Sequence, residues 1–416
     1  MNSLVRLLLC VWVLLGMARD SVAQTSVLPS PLTIGDVARL ASERRDEVAA
    51  ARARRRAADE RPAIVGALDD PMLSPSLDHL PFMWGGADFS VTYEQQFPLS
   101  KLREHRRDAA IAGVARFRAD VSRAHLDVGL EAVKAFLMLQ ERRRMQLLLG
   151  DQLLFARDVV AAANARYSSG VAPQSDVLRA EVEVARVAAQ ARALSGEVRS
   201  AEAMLNASLA IDVGQAVPPL APLDVSRPAP MASTVPSRVK TRPELEAARA
   251  EVARADAEIL VMRDMYKPMA TVRTGPAYTM AEGTGWMAMV GVSLPIWRGK
   301  LRAGVAEAEA MKAMAQADLR AMTRMFEGEA AAALGQLEAA RERYVAVTTD
   351  VLPRARMAIQ PAISSYASGQ LPLVSVIEAV QALWLVQADV IDAEVAVGLA
   401  WARFGRAIGS FEGIAP

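Results

Sequence analysis

Methionine offers the most suggestive chemistry in this sequence. The chain carries 19 of them, many between Met262 and Met325. Met287 and Met289 stand two residues apart, the spacing that puts both side chains on one face of an extended strand. Thioether sulfur is a soft, neutral ligand suited to monovalent copper or silver. It is also an adaptable packing group, and on sequence both readings stand. Other ligand types are sparse: the three histidines, His79, His105 and His125, contain no i, i+4 pair of the kind a helix metal site uses. No metal site is assigned firmly and no cofactor is called for. There is no Gly-rich phosphate loop, nucleophile elbow or recognisable carboxylate pair, so the sequence does not point to an enzyme. The net charge is +1, and the basic clusters Arg54–Arg56 and Arg103–Arg107 read as solvated helix faces. No nucleic-acid partner is expected.

The N-terminus points to export. Arg6 precedes an apolar run from Leu7 to Leu15, and Ser21-Val22-Ala23 offers small residues at a cleavage site. Residues 1–23 therefore read as a secretory signal peptide, with an apolar run too short to span a bilayer as a helix. The single cysteine, Cys10, lies inside this leader. Leu9 is bulky where a lipid-attachment box wants a small residue. Without Cys10 the mature chain has no disulfide framework and no thiolate site. No long apolar stretch is expected beyond the leader, so any membrane crossing falls to strands.

An internal duplication organises the rest. Arg45-Asp-Glu-Val-Ala-Ala-Ala-Arg-Ala53 returns as Arg242-Pro-Glu-Leu-Glu-Ala-Ala-Arg-Ala250, an offset of 197 residues. The same offset pairs Asp59 with Asp256, Pro71-Met72 with Pro268-Met269 and Pro98 with Pro295. It becomes 199 at Lys101-Leu-Arg103 and Lys300-Leu-Arg302, and is still 199 where Tyr167-Ser-Ser-Gly170-Val-Ala-Pro173 meets Tyr366-Ala-Ser-Gly369-Gln-Leu-Pro372. The first repeat occupies 24–216 and the second 238–416. Between them, 217–237 is rich in proline and is expected to be an extended linker.

Each repeat has the same plan. A helix (Thr33 to about Gly66; Pro243 to about Tyr266) leads to two strands (about 72–80 and 89–99; about 269–278 and 286–296). A very long helical pattern follows, Lys101 to Arg166 and Lys300 to Tyr366, the second with a kink expected at Pro353. Turns at 167–173 and 366–372 lead into returning helices, Pro173–Leu209 and Pro372–Ile408. At 1.5 Å per residue such a long helix would reach roughly 100 Å, so an elongated protein is expected. Gly170 and Gly369 stand where those helices must end and a left-handed cap is wanted. Pro173 and Pro372 then fall in the first turn of the returning helix, where a missing N–H costs nothing.

The strands alternate strictly. Phe89, Val91, Tyr93 and Phe97 interleave with Ser90, Thr92, Glu94 and Gln96, and Trp286 through Ile296 interleaves with Met287, Met289, Gly291 and Ser293. A soluble hairpin with one buried face would do the same. Ten-residue alternating strands with terminal aromatics also match a transmembrane barrel. By the 197 offset, Met287 and Met289 share the face of Ser90 and Thr92, opposite Phe89 and Trp286. If the aromatics meet lipid, the two methionines face a lumen. Four strands cannot close a barrel and lipid forbids open edges, so other chains must complete it.

With these parts assembled, the chain resembles the TolC-type outer-membrane factors over essentially its whole mature length. The most specific pieces are Arg166-Tyr-Ser-Ser-Gly170-Val-Ala-Pro-Gln-Ser-Asp176 and Ser365-Tyr-Ala-Ser-Gly369-Gln-Leu-Pro-Leu-Val-Ser375. The resemblance implies a mainly α fold with a small β part. Three copies of the duplicated helix–two strands–long helix–turn–helix unit would form an α-helical periplasmic tube topped by a shared 12-stranded transmembrane β-barrel. It implies a homotrimer in outer-membrane lipid, docked onto a periplasmic adaptor (a membrane fusion protein) and an inner-membrane pump of RND type. The tip turns, with Tyr167, Gly170, Pro173, Gly369 and Pro372, would meet the adaptor. Tyr366 and Asp176 fill latch positions and Glu378 an acidic ring position. Leu371 stands where an arginine latch is often found and Ser375 where a second acid would be, which implies a weaker polar latch. Asp69-Asp70-Pro71-Met72-Leu73-Ser74 resembles the heavy-metal efflux branch, with copper or silver as expected cargo. A drug, solute or type I secretion duct keeps the fold and changes the cargo; a soluble periplasmic coiled-coil scaffold or adaptor is the reading from another class.

Overall fold

Thr33 starts the first helix through a local device: its hydroxyl accepts from the Asp36 amide while the Asp36 carboxylate reaches back to the Thr33 amide. Reciprocal capping of this kind satisfies two otherwise orphaned donors. The computed structural model describes residues 28–78, 88–279 and 282–411. The expected leader, 1–23, and the last two residues of the first expected strand lie outside the described residues, as does His79.

In chain order the elements are α1 (Ile34–Arg44), α2 (Asp46–Gly66), β1 (Met72–Asp78), β2 (Asp88–Pro98), α3 (Leu102–Ser168) and α4 (Gln174–Ser208). The end of the linker forms α5 (Val235–Val239), and the second repeat supplies α6 (Pro243–Asp264), β3 (Met269–Thr279), β4 (Gly283–Ser293), α7 (Arg298–Ala346), α8 (Leu352–Ala367) and α9 (Leu373–Ile408). The helix expected from Thr33 to Gly66 is two helices, because Arg45 between them is extended (φ −70°, ψ 135°). The fourth strand runs three residues earlier than 286–296. It starts at Gly283, whose φ of +78° closes the hairpin, and stops two residues before Pro295, which has no N–H for a ladder.

The sheet is antiparallel throughout, in the order β1-β2-β3-β4. The helices adjoining it pack in the same order: α2 on α3, α3 on α6, α6 on α7. Away from the sheet, α3 packs on α4 and α9, and α9 packs on α7 and α8. Long helices are held this way because an apolar stripe must be buried against a neighbour. Beside a small cluster of Leu102, Ala109 and Val261, three larger apolar clusters are buried among the described residues. One joins Leu32, Phe136, Leu137 and Leu205, a second joins Leu245, Phe326, Trp401 and Phe404, and the third lies at the turns, with Val177, Tyr366 and Leu373.

Three expectations need correction. The linker is not wholly extended: Ala232–Thr234 forms a 3-10 turn leading into α5, which tolerates Pro236 because it lies in the first turn. Leu220, also in the linker, pairs with Leu32 at the start of the first repeat. The second long helix is interrupted by a π turn at Val347–Val351, ahead of Pro353. There the Thr348 and Thr349 hydroxyls donate to the carbonyls of Tyr344 and Val345, at 2.7 and 2.8 Å. Pro353 then sits in the first turn of α8, and Pro361 lies inside it, a proline the sequence reading passed over. Finally, α9 is long and apolar enough to cross a membrane, contrary to the expectation that no such stretch follows the leader. Only 17% of its most apolar 18-residue stretch is buried among the described residues, whereas further along the helix Val397, Ala402 and Phe404 are fully buried core.

Candidate functional site: paired tips and a two-faced sheet

The two turns are built alike. Gly170 and Gly369 adopt φ of +75° and +76°, the left-handed region where a side chain is penalised. The Gly170 amide returns to the Tyr167 carbonyl at 2.9 Å and the Gly369 amide to the Tyr366 carbonyl at 3.0 Å. Pro173 and Pro372 are both extended and stand one position earlier than expected, at the N-caps of α4 and α9. An N-cap amide has no intrahelical partner, so proline is tolerated there for the same reason.

Their tyrosines diverge. Tyr167 is 46% exposed and Tyr366 only 7%. The Arg166 guanidinium lies 4.4 Å from the Tyr366 ring centroid and donates to the Tyr366 carbonyl. The Tyr366 hydroxyl has no hydrogen-bond partner among the described residues. Burial, and then the nearby Asp176 charge, push its pKa up, with Arg166 opposing. Asp176 is therefore close to Tyr366 without being bonded to it. It lies in the first turn of α4, where the helix dipole favours a carboxylate. Glu378 is exposed on α9, as is Leu371 at the turn. One turn further along, Gln381 of α9 donates to Glu183 of α4 at 2.9 Å. Sequence reasoning missed Arg166 as the partner of Tyr366. The available signal was a break in the repeat: its counterpart at offset 199 is Ser365.

The sheet separates two chemistries. Directly opposed residues in antiparallel strands share a face, so the register sorts every position. Phe89 opposes Tyr278 and Pro276 opposes Trp286, so Phe89, Tyr93, Phe97, Tyr278 and Trp286 all lie on one face. The other face carries Ser76 opposite Ser90, Thr92 opposite Ser74, and Glu94 opposite Arg273. Gly275 opposes Met287 and Arg273 opposes Met289, which puts both methionines on this polar face with Ser90 and Thr92. Glu94 accepts from Arg273 Nε at 2.9 Å. Gly275 allows the two central strands to approach closely: a Cβ there would lie 1.9 Å from the Val91 carbonyl oxygen.

Elsewhere, His105 pairs with the buried Asp264 at 2.9 Å, where α3 leaves the sheet. His125 faces Arg52 at 3.4 Å; burial and the Arg52 charge push its pKa down. Among the described residues no group of three or more His, Cys, Asp or Glu could hold a metal ion.

Comparison with known proteins accords with this geometry. Residues 237–410, most of the second repeat, match the family model described as outer membrane efflux protein. The cobalt-zinc-cadmium resistance protein CzcC of Cupriavidus metallidurans is 28% identical over 68% of this chain and 66% of its own length. The outer membrane efflux protein BepC of Brucella suis is 24% identical over 64% of this chain. The matched stretch covers just under two thirds of CzcC and 59% of BepC. The CusC transmembrane channel shares the fold, with a TM-score of 0.78 at 14% identity over 91% of this chain and 92% of that one. By these matches the second repeat carries the pattern of the outer membrane efflux protein family, and the chain as a whole has the fold of the CusC channel.

Proposed function

We propose that the protein is one of three identical protomers of an efflux duct, passively conducting cargo handed over by a periplasmic adaptor and an inner-membrane pump of RND type. The observation that carries this is the sheet. Among the described residues β1 pairs only with β2 and β4 only with β3, so both edges are open. One face is aromatic and aliphatic, with Trp286 72% and Val290 72% exposed. In hydrocarbon an open edge leaves backbone groups unsatisfied, at several kcal/mol each. Three four-stranded sheets joined edge to edge remove every such edge in a 12-stranded barrel. Phe89, Tyr278 and Trp286 then supply one interfacial aromatic belt and Phe97 and Trp297 the other. The helices, following the strands in order, continue the wall into the periplasm.

The turns at 167–173 and 366–372 then form the periplasmic tip. Tyr167, Gly170, Pro173, Gly369 and Pro372 meet the adaptor, while Tyr366, Asp176 and Glu378 line the entrance. Likeness to CzcC supports a heavy-metal cargo; a drug, solute or secreted substrate is the competing cargo for the same duct. Outer-membrane fractionation tests the reading: heat-modifiable trimers that conduct in planar bilayers are expected, and recovery as a soluble periplasmic protein would overturn it. Loss of metal tolerance, rather than antibiotic tolerance, is the expected phenotype of a deletion strain.

A further inference from the structure

The polar face of the sheet holds a segregation that packing does not require. The strands contain four methionines, and all four lie on that face: Met72 opposite Glu94, Met269 opposite Pro98, Met287 opposite Gly275 and Met289 opposite Arg273. None lies on the aromatic face, where a flexible apolar side chain would be as welcome as leucine. Here they stand instead among Ser, Thr, Glu94 and Arg273, and Met287 and Met289 are 36% and 45% exposed.

These two are the best placed to act together. Two residues apart on β4, their Cα atoms are about 6.8 Å apart, and three rotatable torsions in each side chain let the sulfurs converge on one ion. Gly275, across from Met287, carries no side chain to cover it, the Val91 carbonyl oxygen standing where a Cβ would be. Arg273, across from Met289, has its charge matched by Glu94. Thioether sulfur selects soft monovalent ions, whereas cobalt, zinc and cadmium bind best through imidazole, thiolate or carboxylate. No cluster of those groups is present among the described residues.

We propose that Met287 and Met289 form a two-thioether site for a soft monovalent cation, Cu(I) or Ag(I), on the lumenal wall of the sheet. The proposal rests on the duct reading, which makes the polar face the lumenal one. Two neutral sulfurs without a charged ligand bind weakly, as a conducting path needs: favourable enough to enter, weak enough to leave.

Silver(I) binding to the purified full-length protein in chloride-free detergent buffer tests this, read by mass-spectrometric footprinting of methionine oxidation with hydrogen peroxide. Oxidation at Met287 and Met289 should slow about tenfold with Ag(I). At Met231 and Met357, which are 73% and 66% exposed, it should be essentially unchanged, and Co(II) should protect none of them. Met287→Leu with Met289→Leu keeps the volume and should lower the number of silver ions bound. Equal protection at all exposed methionines, no protection, or unchanged silver stoichiometry in the double variant would overturn the site. Potassium conductance measured alongside separates the two ideas: protection without conductance defeats the duct, and conductance without protection defeats the site alone.

Discussion

The two repeats carry the same Arg-x-Glu pair, each joined by a glutamate from the following long helix, in different surroundings. In the first, Arg45 pairs with Glu47 and with Glu131. In the second, Arg242 pairs with Glu244 at 3.2 Å and Glu329 at 3.0 Å. The Arg45 side chain keeps 17% of its surface and faces carboxylates that are 56% and 60% exposed. Arg242 keeps 3%, lies 3.8 Å from the Phe326 ring centroid and donates to the Ala407 carbonyl at 2.9 Å. Arg406 adds a second guanidinium, joining Glu244 at 2.5 Å to Asp127 of α3 at 2.8 Å. The C-terminal end of α9 makes the difference by closing over the second trio. One motif thus serves as a surface pair in one repeat and as a buried junction of α3, α6, α7 and α9 in the other.

Arg242→Ala is expected to have the largest effect. It strands buried Glu244 with one partner and should cost about 3–5 kcal/mol, the usual penalty for breaking a buried pair. Arg45→Ala should cost less than about 1 kcal/mol, as exposed pairs do. Thermal unfolding of the two variants measures both, and equal losses would erase the distinction.

Acid should sharpen the contrast. Burial works to raise the pKa of Glu244, but hydrogen bonds from Arg242, its own backbone and Arg406 outweigh it and hold the group below the ordinary carboxylate range. Its stabilisation is therefore complete above the unfolded value, about 4.3, and is lost as pH falls through the depressed folded value. Glu244→Gln should flatten the acid limb of the stability profile much more than Glu47→Gln, whose carboxylate is mostly in solvent.

The tips permit a similar comparison at smaller scale. Arg166→Ala removes a cation–π contact of about 0.5–2 kcal/mol and should raise the leak conductance of the reconstituted channel. Tyr366→Phe keeps the ring and loses a hydroxyl with no hydrogen-bond partner among the described residues, so its leak should match the parent's. Tyr167→Ala, at the exposed counterpart, should not alter leak either. A leaky Tyr366→Phe channel would instead favour a latch through the hydroxyl and Asp176, as the resemblance implies.

The smallest effect concerns how each repeat begins. Thr33 and Asp36 cap α1 reciprocally, whereas α6 starts on Pro243 without a side-chain cap. Thr33→Ala should cost about 1 kcal/mol, visible as a modest drop in the urea midpoint.

Much of this was legible in sequence because it is periodic or local. Constant offsets exposed the duplication, strict alternation exposed the strands, and Gly170 and Gly369 marked the ends of the long helices. What escaped depends on distant partners. Arg45, Glu47, Arg242 and Glu244 were visible as copied letters, yet nothing in their spacing said that one pair would be buried beneath Arg406. Arg166 stands inside the turn motif, while its partner ring lies 200 residues away. The π turn was signalled only indirectly, by Pro353; its position depends on the two threonines ahead of that proline.

The matched order of strands and helices has an evolutionary consequence. Each strand is spliced to a helix beside the sheet, so the wall cannot gain a strand without gaining a helix. The inheritable unit of circumference is the whole repeat, hairpin and helices together. In the proposed duct, bore size would therefore change only in steps of whole repeats, with point substitution tuning the lining of a bore already set.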